Sequence, residues 1–472
     1  MSLWTLQEVL SATGGKAHNI EQAQFDSVSI DSRDLGENPL FFAIKGDRFD
    51  GHDFVAGAVE NGAVAAVVAK SQRDQLDSSL PLIVVDDTLK AMEGLGKASR
   101  QRSNARIAAV TGSVGKTSTK EAIRCVLEAA GKSHASILSF NNHWGVPLML
   151  ARMPRDTEYA VFEIGMNHAD EIRPLVKMVR PHVALVTNIG PAHIGNFDDI
   201  YGIVAAKAEI FEGLERGGVA LIGADHDYVE ELKAAAVKCG VAAVKTFGLR
   251  RENVDGTVEN IVQQPQGLKA QLFTGTQSLP IELPQFSDHA VANALAAAMV
   301  GEQFEIDAIT VAAGLANFSA PEGRGELTEV AVSGGTALIL DESYNANPVS
   351  MRAAFLLLAR LPVKGRKIAV LGDMLELGDQ STKIHSELSG PLLASGAHEV
   401  VLVGPEMAHL RDKIQGQIKT TYVPDTKKLD VMIAESLAPG DLVMFKGSKG
   451  IGLSPVVASI KARLGGTKNS KT

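Results

Sequence analysis

Three observations predict an α/β protein built from three domains. Short apolar runs, bounded by glycine and Asp/Ser turns, alternate with helix-forming segments along most of the chain, the pattern of mostly parallel sheets covered by helices. At 472 residues the chain is too long for one hydrophobic core. Two polar breaks, at 99–106 and at Phe318-Ser-Ala-Pro-Glu-Gly-Arg324, divide the alternation into three. Domains are therefore expected over 1–103, 104–319 and 320–472.

In the first part, 41–44, 63–69 and 82–85 read as strands between polar turns, and 99–106 as a linker. From 107 a strand–loop–helix rhythm begins, with strands at 107–110, 159–164, 183–187 and 219–222 and a helix over 120–130. The segment 267–283 alternates like an antiparallel hairpin, which would sit at the edge of that sheet. Helical runs at 288–300 and 306–315 close the middle part. A third alternation follows, with strands near 337–340, 367–371, 399–403 and 442–445. The polar tail 465–472 carries no periodicity and is expected to be disordered.

Composition narrows the class. Hydrophobic residues make up 45% and charged residues 21%, as in ordinary soluble globular proteins. A net charge of −9 argues against a nucleic-acid binder, which normally shows a basic field. Two cysteines, Cys125 and Cys239, make neither a disulfide framework nor a zinc spacing. The N-terminal segment lacks a basic start and a long apolar run, and no segment is apolar and long enough to span a bilayer. A reducing cytoplasm is the expected compartment.

The strongest chemical signal is Ala109-Val-Thr-Gly-Ser-Val-Gly-Lys-Thr-Ser-Thr119. An apolar run enters it and a helix-forming run leaves it, which makes a phosphate cradle of the GxxGKT kind. Gly112 and Gly115 let the backbone curl, so that the N–H groups of Gly112, Ser113, Val114, Gly115, Lys116, Thr117 and Ser118 can face phosphate oxygens. Lys116 would reach the terminal phosphates, and the Thr117 hydroxyl would ligate the Mg²⁺ that accompanies ATP. Glu163 ends the strand 159–164 and would share that ion, although an ordinary strand-end acid explains it equally well. Asn188 and His193 lie on the loop after the next strand. Lys207, on the helix beyond, reads from its pattern alone as a solvated helix lysine.

Together these residues resemble a family. Thr111-Gly-Ser-Val-Gly-Lys-Thr117, Glu163, Asn188 with His193, and Lys207-Ala-Glu-Ile210 are similar in order and spacing to the Mur ligases, ATP-dependent amide-forming enzymes of peptidoglycan stem-peptide synthesis. The resemblance covers nearly the whole chain. Asp31-Ser-Arg33, Phe41-Phe-Ala-Ile-Lys-Gly46 and Phe49-Asp-Gly-His-Asp-Phe54 look like the nucleotide-sugar-binding first domain of the later ligases. Asn141-Asn-His-Trp-Gly-Val-Pro147 matches their substrate-facing loop, and Asp341-Glu-Ser-Tyr-Asn-Ala-Asn-Pro348 and Lys446-Gly-Ser-Lys449 their third domain. Leu371-Gly-Asp-Met-Leu-Glu-Leu-Gly378, with His385, resembles the member that adds D-alanyl-D-alanine to UDP-MurNAc-tripeptide.

The resemblance implies a small α/β domain for the nucleotide sugar, a central P-loop ATPase domain and a Rossmann-like C-terminal domain. It implies ATP and Mg²⁺ as cofactors and an acyl-phosphate route; the sequence shows no coiled-coil heptad or interface patch, and a monomer is expected. Lys116 would contact phosphates, Thr117 and Glu163 the first Mg²⁺, and His193 a second. Lys207 would be a carbamylated lysine, an anion beside the metal. Asn293, Arg324 and Asp341 would meet adenine, phosphates and ribose, and Ser32, Arg33, Lys45, Asn142 and Asn188 the carboxylate substrate. Ser287, Ala290, Gly223, Asp170, Glu342, Leu453 and Ser454 depart from the family pattern, and none of them is an implied metal ligand or the phosphate lysine. Two other readings remain at this stage: a sister ligase adding another amino acid, and a P-loop binding module.

Overall fold

A computed structural model describes residues 2–46, 49–137, 139–264 and 267–468. The chain forms three α/β units in sequence order. The first holds a five-stranded sheet in the order Lys16–His18, Leu82–Val85, Ala65–Ala69, Pro39–Phe42, Ser27–Ser29, parallel except for its first strand. The expected strand 41–44 is shifted: Ile44 N–H donates to the Phe42 carbonyl at 3.0 Å, so the chain turns out of the sheet after Phe42.

The polar stretch 99–106 is not a linker. The helix Thr88–Arg102 runs through its first half, and the strand Arg106–Thr111 begins at its end. Its arginines are consumed by tertiary contacts. Arg100 is 4% exposed and donates to the carbonyls of Val179 (2.8 Å) and Arg180 (2.9 Å). Arg102 donates to the Leu3 carbonyl and lies 3.6 Å over the Trp4 ring.

The middle unit is a six-stranded parallel sheet in the order Ala243–Phe247, Val219–Gly223, Val183–Val186, Arg106–Thr111, Tyr159–Glu163, Ser133–Ala135. Both faces are covered. Ile107 and Ala109 of the central strand belong to one core, Ala108 and Val110 to the other, as the two-residue period of a strand requires. The segment expected as an edge hairpin forms instead a separate antiparallel sheet of Thr257–Gln264, Gly267–Phe273 and Ser278–Leu283. Leu268, Ala270 and Leu272 face inward with Leu279, Ile281 and Leu283, and join the core that contains the helix Asp288–Gln303.

The third unit has seven strands in the order Lys419–Val423, Glu399–Val403, Lys367–Gly372, Leu442–Lys446, Gly335–Asp341, Glu326–Val332, Thr467–Lys468. The first five are parallel and the last two are antiparallel to their neighbours. Part of the tail expected to be unstructured is therefore a sheet edge, with Thr467 opposite Glu329; residues 469–472 lie outside the described residues. Among the described residues no helix is long and apolar enough to cross a membrane.

Candidate active site

The strand Arg106–Thr111 lies at the centre of its sheet, where strand order reverses, and open α/β sheets bind ligands at the carboxyl ends of such strands. The cradle follows it. Gly112 has φ +149°, and a Cβ there would stand 1.9 Å from Thr187 Oγ1, so only glycine fits. Gly115, at φ +82°, is the N-cap of the helix Lys116–Ala130 and offers no side-chain cap, which leaves the first helical N–H groups facing the cleft. The neighbouring loop braces the curl. Asn188 Oδ1 accepts from Val114 N–H at 2.9 Å, Thr187 Oγ1 donates to the Val114 carbonyl at 2.6 Å, and Ser113 Oγ donates to the Gly190 carbonyl at 2.9 Å.

Lys116 folds back to donate to the Gly112 carbonyl at 2.8 Å. Burial lowers its pKa, opposed by Glu163 and reinforced by Arg324. Thr117 Oγ1 donates to Glu163 Oε2 at 2.8 Å, and Asn141 Nδ2 donates to Glu163 Oε1 at 2.7 Å. Glu163 is 1% exposed. A hydroxyl from the first turn of the helix Lys116–Ala130 and a carboxylate at the end of the adjacent strand Tyr159–Glu163 make a hard oxygen pair. Among the described residues no group of three or more His, Cys, Asp or Glu converges into a closed cage. That set suits Mg²⁺, which takes one or two protein oxygens and fills its shell with phosphate and water.

Lys207 is 1% exposed, not solvated. Burial and the charge of Lys116 hold its pKa well below the usual lysine range, and the described residues bring it no carboxylate. A neutral buried amine is nucleophilic and can add CO₂. His193, at φ +62°, points into the same cleft, and its Nδ1 bonds Glu376 Oε2 of the third unit at 2.5 Å. That bond holds the Glu376 carboxyl below the usual carboxylate range.

The cleft, of about 610 Å³, lies between the middle and third units. Ser113, Val114, Gly115, Lys116, Thr117, Ser118, Glu163, Asn188, His193 and Asn293 line it from one side, and Arg324 and Lys449 from the other. Asn293 accepts from Thr119 Oγ1 at 2.8 Å, and the Arg324 guanidinium lies 4.1 Å over the Tyr344 ring. Asp341 does not line the cleft. It is 3% exposed and accepts from Ser343, while its neighbour Glu342 reaches the wall. Asn142 caps a helix start, its Oδ1 accepting from Gly145 N–H at 2.9 Å; its neighbour Asn141, missed as an individual residue, meets Glu163.

Ser32, Arg33 and Lys45 lie in the first unit, and none of them lines this cleft. Arg33 is exposed and paired with Asp31 at 2.7 Å. Lys45 pairs with Asp50 through its backbone, as an isolated antiparallel β-bridge.

Comparison with known proteins matches every unit. Residues 24–100 match "Mur ligase family, catalytic domain", 110–301 "Mur ligase middle domain", and 323–449 "Mur ligase, glutamate ligase domain". The UDP-N-acetylmuramoyl-tripeptide–D-alanyl-D-alanine ligase of Escherichia coli (strain K12) is 36% identical, over 97% of this chain and 98% of that protein. The chain belongs to the Mur ligase family. The Bacillus subtilis (strain 168) enzyme of the same name is also 36% identical, over 93% of this Mur ligase and 94% of its own length. A crystal structure of MurF from Acinetobacter baumannii superposes with a TM-score of 0.83 at 32% identity, covering 97% of this chain and 99% of its own. MurF from Thermotoga maritima in complex with ADP gives 0.76 at 26% identity, over 93% and 98%.

This Mur ligase thus carries cradle, oxygen pair and buried lysine on the middle unit. Spacing after a strand pointed to the cradle and to Thr117, whereas the buried Lys207, on the helix Ile200–Ala208, was marked only by the family resemblance. Spacing did not find the partner of His193, which lies 183 residues away.

Proposed function

We propose that this chain is an ATP-dependent amide ligase that joins D-alanyl-D-alanine to UDP-MurNAc-tripeptide and yields UDP-MurNAc-pentapeptide. The reaction class is supported by one arrangement: the phosphate cradle and the Thr117–Glu163 pair in a single interdomain cleft, with Lys207 buried behind it within reach of the charge of Lys116. The substrates are those in the names of the relatives that match along the full chain.

A carboxylate resists amine attack, because its charge repels the nucleophile and oxide is a poor leaving group. In the proposed route a carboxylate oxygen of the tripeptide attacks the γ-phosphorus of ATP, and the bond to ADP breaks. The dipeptide amine then attacks the acyl carbon, loses a proton, and phosphate departs with the C–O bond. The backbone of Gly112 to Ser118 holds the ATP phosphates, and Lys116 swings from the Gly112 carbonyl to the transferred group. Thr117 and Glu163 would hold one Mg²⁺, and His193 a second. Bound there, the ions neutralise the two anions that must meet. Lys207 reacts as a neutral amine with CO₂, releasing a proton, to give a carbamate that would face the metals.

The remaining roles are carried over from the resemblance to the Mur ligases. Arg324 approaches the phosphates across the cleft, and Asn293 and Asp341 serve the nucleotide end. Ser32, Arg33 and Lys45 hold the nucleotide sugar, with Asn142 and Asn188 nearer the reacting carboxylate. The domains divide at 103/104 and 319/320. The enzyme works as a cytoplasmic monomer on small molecules, without nucleic acid or membrane.

Phosphate release, followed with ATP, Mg²⁺ and UDP-MurNAc-tripeptide, tests the reading. Release is expected only when D-alanyl-D-alanine is also present, with a UDP-pentapeptide identified by mass. A requirement for a different amine would assign a sister activity. Absence of turnover with every amine would leave a binding module.

A further inference from the structure

The loop after the strand Lys367–Gly372 is held from several directions, and what it presents is Glu376. Asp373, 2% exposed, accepts from Met407 N–H at 2.8 Å. His385, fully buried, accepts from Met374 N–H at 3.0 Å through Nε2 and donates through Nδ1 to the Ser381 carbonyl. Ser448 Oγ accepts from Leu375 N–H at 2.9 Å. Glu376 then takes φ +63°, a left-handed conformation that is uncommon for a residue with a side chain. Facing it across the domain boundary, His193 takes φ +62°. Two non-glycine residues in this conformation, in direct contact, mark a place where the surroundings impose geometry on a functional group.

The contact has two parts. His193 Nδ1 bonds Glu376 Oε2 at 2.5 Å, and Gly195 N–H donates to the Glu376 carbonyl at 3.2 Å. The loops approach so closely that a Cβ on Gly195 would stand 3.0 Å from the Glu376 carbonyl oxygen. A carboxylate can only accept, so Nδ1 carries the hydrogen, and Nε2 is the ring nitrogen left to meet a ligand. Among the described residues nothing else bonds that nitrogen.

We infer that Glu376 is a positioning residue, the outer carboxylate of a carboxylate–histidine pair that is assembled only when the third domain docks on the middle one. A metal-bound histidine almost always donates its other ring N–H to such a partner, which fixes the tautomer and the ring orientation. Here histidine and carboxylate come from different domains. Domain docking and a competent His193 are then one event, so that an open enzyme would hold ATP without a complete ion site. The inference rests on the reading of His193 as a ligand of the second ion.

Binding of Mn²⁺ with a non-hydrolysable ATP analogue, followed by electron paramagnetic resonance, tests it without turnover. The full-length enzyme and its Glu376→Ala, Glu376→Gln, His193→Ala and doubly substituted forms are compared, and thermal melting checks that each folds. Wild-type enzyme should hold two ions. Glu376→Ala should weaken the second by about tenfold or more, the usual effect of losing an outer partner. Glu376→Gln, whose amide oxygen still accepts from Nδ1–H, should retain most of the affinity, and the double variant should lose no more than His193→Ala alone. A weakened second ion in His193→Ala but not in Glu376→Ala would overturn the role of Glu376. Wild-type enzyme with one ion, or His193→Ala with two at unchanged affinity, would overturn the ligand reading of His193 beneath it.

Discussion

A lysine buried to 1%, to which the described residues bring no carboxylate, is a liability for the fold. Removing its amine should relieve the fold of a buried ionisable group that has no counter-charge, whereas a lysine kept for packing would be missed. Lys207→Met is therefore expected to melt at the same or a higher temperature than the parent while ligation falls below detection. A lower melting temperature with ligation retained would make Lys207 structural. Labelled bicarbonate gives an independent view: a carbamate ¹³C resonance should appear in the parent and be absent from the methionine form. The opposing signs of stability and activity are what a functional site maintained at a cost to the fold predicts.

At the level of elements, the strand Ser133–Ala135 shows how a polar segment enters a sheet. His134 donates through Nε2 to the Met149 carbonyl at 2.8 Å and lies 5.8 Å from the Phe162 ring centroid. Burial lowers its pKa from 6.5 to about 4, so the folded edge strand carries a neutral imidazole. Between those values the unfolded chain binds the extra proton. The stabilisation is complete above about pH 6.5 and is lost as the pH falls toward 4. Denaturant melts of the parent and His134→Gln should therefore diverge with pH in that window, the parent gaining relative to the variant as pH rises. A constant difference would mean that the imidazole titrates alike in both states.

The same strand shows what could be read from the sequence. Ser-His-Ala has no apolar run, and it was not anticipated; Leu82–Val85 and Glu399–Val403 are apolar enough to be read to the residue. The arginines of 99–106 misled because their carbonyl partners lie far along the chain, at Val179 and Arg180 for Arg100, Leu3 for Arg102 and Phe304 for Arg106. The oxygen pair was legible, because Thr117 and Glu163 both follow apolar strands. Asn141 was not separable from Asn142, since two adjacent asparagines have no spacing signal, and only the turn into Gly145–Ala151 decides which one caps.

Across the whole molecule the two domain joints differ in kind. The first joint is buried. Trp4 donates to the Ala151 carbonyl at 2.8 Å within a core shared with Leu148, Arg152 donates to the Val28 carbonyl at 2.6 Å, and Arg155 pairs with Glu8. The second joint also has apolar packing, since one hydrophobic cluster runs from the middle unit into the third, but it borders the cleft, which polar contacts such as Arg360–Asp288 at 2.6 Å, Ser139–Tyr344 at 2.5 Å and His193–Glu376 span. Partly exposed pairs of this kind contribute about 0–1 kcal/mol each. Ligands that touch both walls can therefore shift the balance, and a closed cleft protects an acyl phosphate from water. The third domain is expected to swing away in free enzyme while the first and middle domains stay together. Small-angle scattering should show a smaller radius of gyration when a non-hydrolysable ATP analogue and UDP-MurNAc-tripeptide are added together than in free enzyme. Arg360→Ala, which removes a contact outside the cleft, should enlarge the free form and leave the fully liganded form compact. Identical curves with and without ligands would mean that these contacts suffice to keep the cleft closed, and that substrates enter without domain motion.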